Sequence, residues 1–148
     1  MNKITSKILQ TLTVLIALAV FIFMLWEPQA EGVNVGKTLT QIYLHDPFVA
    51  WAYACSIAFF VGAYNLLRVW GYAGDGELRS RAGLKALNIL KLCAFLTASL
   101  IVVTVLYLGI KNRGQDDIAG VAMLGLITTI LSLSVGTIAG KVEKRLRS

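Results

Sequence analysis

Asp46 to Tyr72, DPFVAWAYACSIAFFVGAYNLLRVWGY, decides how the chain is read. From Phe48 to Leu67 it carries no charged residue, and Arg68 is the first one met. A run of about 20 residues makes roughly 30 Å of helix, the thickness of a bilayer's hydrocarbon layer. A lone segment in lipid has to satisfy its own backbone hydrogen bonds, which favours helix over strand. Asp46 and Pro47 suit a helix start, one as a cap for free N–H groups and the other at the first helical position. Phe48 and Trp51 at one end, with Trp70 and Tyr72 at the other, match the aromatic belts of membrane interfaces. Ala54, Ala58, Gly62 and Asn65 recur at helical spacing and make one small-residue face, while Tyr53, Phe60, Tyr64 and Leu67 make the other. Such a face admits a close neighbour helix, in the same chain or in a second copy, and Asn65 is placed to hydrogen-bond across the contact.

Working outward, Ile8 to Trp26 is a second uncharged run. Lys3 and Lys7 before it give the pattern of a signal peptide. The run is long for that role, and Glu27-Pro28-Gln29-Ala30 offers no small-x-small cleavage pattern, so a first span is expected. The whole chain then reads as one membrane domain, 1–148, with spans at about 8–26, 48–70, 90–110 and 118–139. An outer connection covers 27–46, a basic inner one 71–89 and a short outer one 111–117. Within the first, Val35, Leu39, Ile42 and Tyr43 predict a short helix over 37–44 lying on the membrane surface. Asp75 is expected to cap a basic amphipathic turn that runs unbroken into the third span. Cys93, Thr97, Leu100, Thr104 and Tyr107 give that span a mildly polar stripe, facing either water or protein. Gly125, Thr129, Ser132, Gly136 and Gly140 form a second small-residue face on the fourth span, with Gly136-x-x-x-Gly140 as a helix-contact motif. The fold class expected is all-α: an antiparallel four-helix transmembrane bundle.

The chain is 57% hydrophobic and 15% charged, against about 45–50% and about 25% for soluble domains. Its formal charge is +6, and the positions of the charges account for it. Eleven basic residues fall on the side of the termini: Lys3, Lys7, Arg68, Arg79, Arg81, Lys85, Lys91, Lys141, Lys144, Arg145 and Arg147. Only three, Lys37, Lys111 and Arg113, fall on the other. The positive-inside rule then puts both termini in the cytoplasm. The basic excess is a topology signal, not a nucleic-acid footprint. Of these cations, Arg68, Arg79, Arg81, Lys85, Lys91, Lys141, Lys144, Arg145 and Arg147 form a surface suited to anionic lipid headgroups or to a membrane-protein partner.

Chemistry is read mainly from what the sequence lacks. His45 is the single histidine, too few for a bis-histidine haem and without co-ligands for a metal. Cys55 and Cys93 lie at different expected depths and belong to no Cys-x-x-Cys pair, so neither a disulfide nor a redox motif is expected. Asp116-Asp117 opens the fourth span, where capping and dipole complementation account for both carboxylates. No Asp, Glu, His, Lys or Arg lies deep in any span, where proton relays and ion paths usually place one. The expectation is therefore no catalytic, cofactor or metal residues, and no enzyme. It is a small accessory, sensory or regulatory membrane component. The alternative is a homo-oligomeric channel or transporter using Asn65, Thr97, Thr104 and Ser132. A membrane enzyme acting on lipid or quinone is the third class.

Asp46-Pro47-Phe48 leading into Ala52-Tyr53, the Lys85-Ala86-Leu87 turn, Asp116-Asp117-Ile118-Ala119-Gly120 and Val142-Glu143-Lys144 carry a resemblance. The chain resembles an uncharacterised domain-of-unknown-function family of small four-span bacterial membrane proteins, sometimes encoded beside a helix-turn-helix regulator. The resemblance implies fold and location and carries over no site.

Overall fold

Each apolar run is helical, and each helix outruns it. The computed structural model describes residues 1–30, 35–45, 47–111 and 118–148. The expectations for Asp46, for the Phe48 ring and for Asp116-Asp117 fall outside the described residues. Among those described there are five helices and no strand: α1 Lys3–Ala30, α2 Leu39–Leu44, α3 Pro47–Asp75, α4 Arg81–Lys111 and α5 Ile118–Arg147. The four long ones are each apolar and long enough to cross a membrane. At 28 to 31 residues they measure about 42–46 Å, so their ends project beyond a hydrocarbon layer of roughly 30 Å.

The ends are set by local chemistry. Asn2 Oδ1 accepts from the Ile4 N–H and caps α1. Thr38 and Gln41 form a reciprocal capping box on α2, whose Ile42 is buried. Pro47 is the first residue of α3. At the far end of α3 the sequence expectation is corrected. Asp75 ends the helix and does not cap the next one, because Gly76 takes a left-handed φ of 75° and the Glu77 N–H bonds back to the Tyr72 carbonyl at 2.8 Å. That pairing is a Schellman stop, which needs glycine at this position. Ser80 is the true cap of α4, its Oγ accepting from the Gly83 N–H at 3.1 Å.

The helices pack in chain order, as an open antiparallel row: α1 on α3, α3 on α4, α4 on α5, with α2 against α3 and α1. Among the described residues no contact of comparable extent joins α1 to α5 and closes the ring. α4 lies between α3 and α5 and is the best-covered span, whereas α1 is the least. Both small-residue faces meet α4. A Cβ on Gly62 would lie 3.2 Å from Cys93 Cβ, and one on Gly136 would lie 3.3 Å from Ala94 Cβ. Gly125 faces Val105 and Ile101, and Gly140 faces the Lys91 stem. Backbones approach closely because these positions have little or no side chain. Ala54 is the exception: it is exposed and borders the α1–α3 groove instead.

The tightest packing is at the end that holds both termini. Val69, Ala86, Leu87, Leu90 and Ala139 form a buried cluster there, flanked by Leu66, Tyr72, Leu78, Val142 and Leu146. Elsewhere the spans turn large apolar side chains outward, from Leu15 and Ile22 on α1 to Leu124 and Ile138 on α5, as a lipid-facing surface does.

Candidate functional site at the basic end of the bundle

The cations expected to form one surface fall into two groups. Glu143, only 6% exposed, collects two of the first group. Lys91 Nζ reaches its Oε2 at 2.7 Å, and Arg147 reaches Oε1 through Nη2 at 2.9 Å and Nε at 3.0 Å. Arg79 Nε donates to the Leu146 carbonyl at 3.1 Å and satisfies one free acceptor at the end of α5. Arg68 donates to the Tyr72 hydroxyl at 3.0 Å, with its guanidinium carbon 5.7 Å from that ring's centroid. The second group, Arg81, Lys85, Lys141, Lys144 and Arg145, is exposed. The Glu143–Arg147 spacing is readable in sequence as an i,i+4 pair. Lys91 lies 52 positions from Glu143, and only the α4–α5 packing brings them together.

Polar side chains also lace α1 to α3. Ser6 Oγ donates to the Trp70 carbonyl and Gln10 Nε2 to the Leu67 carbonyl. Gly74 makes room for Ser6, since a Cβ there would sit 2.6 Å from the serine Cβ. Beside this seam a cavity of about 280 Å³ is lined by Gln10, Leu67, Arg68, Gly71, Tyr72 and Asp75. Above it, an open apolar groove of about 750 Å³ runs between the two helices from Leu67 to Tyr53.

At the opposite end the α1–α3 seam answers a defect in the helix. Pro28 has no N–H to offer the Met24 carbonyl four residues earlier. The Tyr53 hydroxyl donates to that carbonyl at 2.9 Å instead. Neighbouring hydroxyls are one way lipid-embedded helices tolerate proline. Tyr53→Phe should therefore cost about 1.5 kcal/mol, near the upper end for an interhelical hydrogen bond in a membrane. With Pro28→Ala the helix regains its own donor, and the same change should cost about 0.5 kcal/mol. Unfolding in mixed micelles measures the cycle. Equal costs in both backgrounds would show that the hydroxyl is not substituting for the missing N–H.

Between α3 and α4, Trp51 Nε1 donates to Thr104 Oγ1 at 3.1 Å, and Thr104 donates to the Leu100 carbonyl. Thr97 is buried. The polar stripe of α4 thus turns toward protein at Cys93, Thr97 and Thr104, while Tyr107 is exposed. Asn65 is 4% exposed. Its Nδ2 returns to the Val61 carbonyl at 2.8 Å, and its Oδ1 has no hydrogen-bond partner among the described residues. An orphaned buried acceptor costs stability that an apolar side chain of similar shape avoids. Asn65→Leu should raise micellar stability by about 1 kcal/mol, and a loss of similar size would mean that Oδ1 is satisfied by a donor in the membrane.

Cys55 and Cys93 are both free thiols. His45 Nδ1 lies 3.5 Å from the Thr40 carbonyl, at an exposed position. Among the described residues no group of His, Cys, Asp or Glu is arranged to hold a metal ion.

Four lipid-length apolar helices, with no strand among the described residues and with large apolar side chains turned outward, define a small multi-pass membrane protein. More particularly, the chain belongs to the family described as "Protein of unknown function (DUF2975)", whose model matches residues 3–144. No curated protein and no solved structure matches it.

Proposed function

We propose that the protein is a non-enzymatic accessory component, regulatory or sensory, of the bacterial cytoplasmic membrane. Both termini are in the cytoplasm. It works through helix contacts within the bilayer and through its basic end, which meets anionic lipid headgroups or a membrane-protein partner. The observation that supports this most is the exposed set Arg81, Lys85, Lys141, Lys144 and Arg145, gathered at the end that holds both termini. Each such cation near a charged membrane surface contributes about 1 kcal/mol. The bias of basic residues toward this end supports the orientation.

Photo-crosslinkers at Arg81 and Lys144 in native membranes test the role, and compartment reporters at Gly114 and Ser148 test the threading. The expected result is adducts with lipid or with a second membrane protein, Ser148 inside and Gly114 outside. Adducts only between copies of this chain would favour the homo-oligomer. Both reporters in one compartment would overturn the four-span topology.

A further inference from the structure

The two cavities between α1 and α3 are the ends of one feature. Leu67 lines both. On α1, Gln10 of the polar cavity stands one turn before Val14 of the groove. On α3, Arg68 stands one turn after Tyr64. Rows spaced by four run along a single helix face, so the polar cavity continues the groove toward the end that holds the termini. From Tyr53 to Leu67 the groove measures about 21 Å along α3, more than the roughly 15 Å of one leaflet's hydrocarbon. Its walls are aliphatic and aromatic: Leu18, Phe21, Phe60 and Tyr64 among them. An acyl chain fits such a wall, and the depth of the polar cavity, just past the last uncharged residue of the span, is that of a lipid headgroup.

Charge selects the headgroup. The polar cavity is lined by one cation, Arg68, and one carboxylate, Asp75, together with Tyr72 and Gln10. A singly anionic headgroup would match Arg68 and meet repulsion from Asp75. A zwitterionic one matches both. We propose that this cleft binds an aminophospholipid from the leaflet on the side of the termini. The phosphate is held by Arg68 and Tyr72, the ammonium faces Asp75, and one acyl chain lies along the α1–α3 groove. The proposal deepens the reading of the protein as a lipid-contacting membrane component and rests on it.

Native mass spectrometry of the full chain in detergent tests it, titrating dioleoyl phosphatidylethanolamine against dioleoyl phosphatidylglycerol. The wild type should retain the ethanolamine lipid about tenfold more strongly, a difference on the order of one charge-assisted contact. Arg68→Gln should lower retention of both lipids about tenfold, and Arg68→Lys should restore most of it. Asp75→Asn should abolish the preference or turn it toward the glycerol lipid. Thermal melts of each variant separate lost binding from lost folding. Tighter binding of phosphatidylglycerol by the wild type, or an Asp75→Asn variant with unchanged preference, would overturn the assignment. Retention indifferent to Arg68 would do the same. If lipid selectivity fails while the crosslinks at Arg81 and Lys144 persist, only this cleft is misassigned and the accessory role stands.

Discussion

Gly83→Ala should destabilise the protein by about 2 kcal/mol, although alanine is the better helix former by about 1 kcal/mol. The reason is the ground above the first turn of α4. A Cβ on Gly83 would sit 2.5 Å from the Leu78 carbonyl oxygen, 2.9 Å from its carbon and 3.0 Å from the Glu77 oxygen. These are backbone atoms and cannot rotate aside. The turn they belong to is braced on both sides. Glu77 N–H is tied to Tyr72, Ser80 N–H to the Glu77 carbonyl, and Leu78 packs on the buried cluster of α3, α4 and α5. Relief would shift the connection or lift α4, and overpacking of this kind costs about 1–3 kcal/mol. Gly109 is the control. It is helical, with nothing among the described residues within 4 Å of an added Cβ, so Gly109→Ala should hold or raise stability by up to about 1 kcal/mol. Thermal or detergent unfolding in micelles compares the two. A Gly83→Ala protein as stable as Gly109→Ala would mean that the turn is far looser than its hydrogen bonds imply.

What the sequence made legible follows from which forces are local. Spans, their number and their antiparallel order come from hydrocarbon-length apolar runs and short connections, and these survive intact in α1, α3, α4 and α5. Gly76 and Ser80 carry local signals that the expected Asp75 cap overlooks. An Asp75 cap is the expectation from sequence, but the glycine that accepts positive φ marks the end of a helix, and Ser80 three residues before Gly83 marks the start of the next. The small-residue stripes were visible as stripes. Their common target was not, because the packing order of the helices sets it: α4 meets them with Cys93, Ala94, Val105 and the stem of Lys91. The open row was also invisible, since periodicity tells which face is apolar and not whether lipid or protein covers it. The cleft beside Arg68 needs Gln10 and Asp75 brought together from two helices, and nothing in either segment alone announces it.

Lys91→Met should cost about 2 kcal/mol, and adding Glu143→Leu should return most of it. Glu143 is the acid that lowers the charge of the basic end from within. Its carboxylate is covered by the α4–α5 contact and takes Lys91 at 2.7 Å. Removing one partner of a fully buried pair costs about 3–5 kcal/mol, because the other charge is left without compensation. Here the figure is lower, since the Lys91 side chain is 28% exposed and Arg147 stays at 2.9 Å. Methionine keeps the unbranched stem that lies 3.3 Å from where a Gly140 Cβ would be, so the packing against α5 survives and the charge is what is tested. Replacing both partners by apolar groups removes the desolvation cost along with the attraction, which is often neutral. Arg147→Ala should change stability by under about 0.5 kcal/mol, because that side chain is 59% exposed and the surrounding water screens it. A double variant that simply adds the two losses would show that Lys91 and Glu143 act independently. Glu143→Gln carries a second consequence. It releases Lys91 and Arg147 to the surface, so binding to anionic vesicles should strengthen even as the α4–α5 contact weakens. The acid thus sets both how firmly the tail of α5 is held and how much positive charge this end of the protein presents to a membrane.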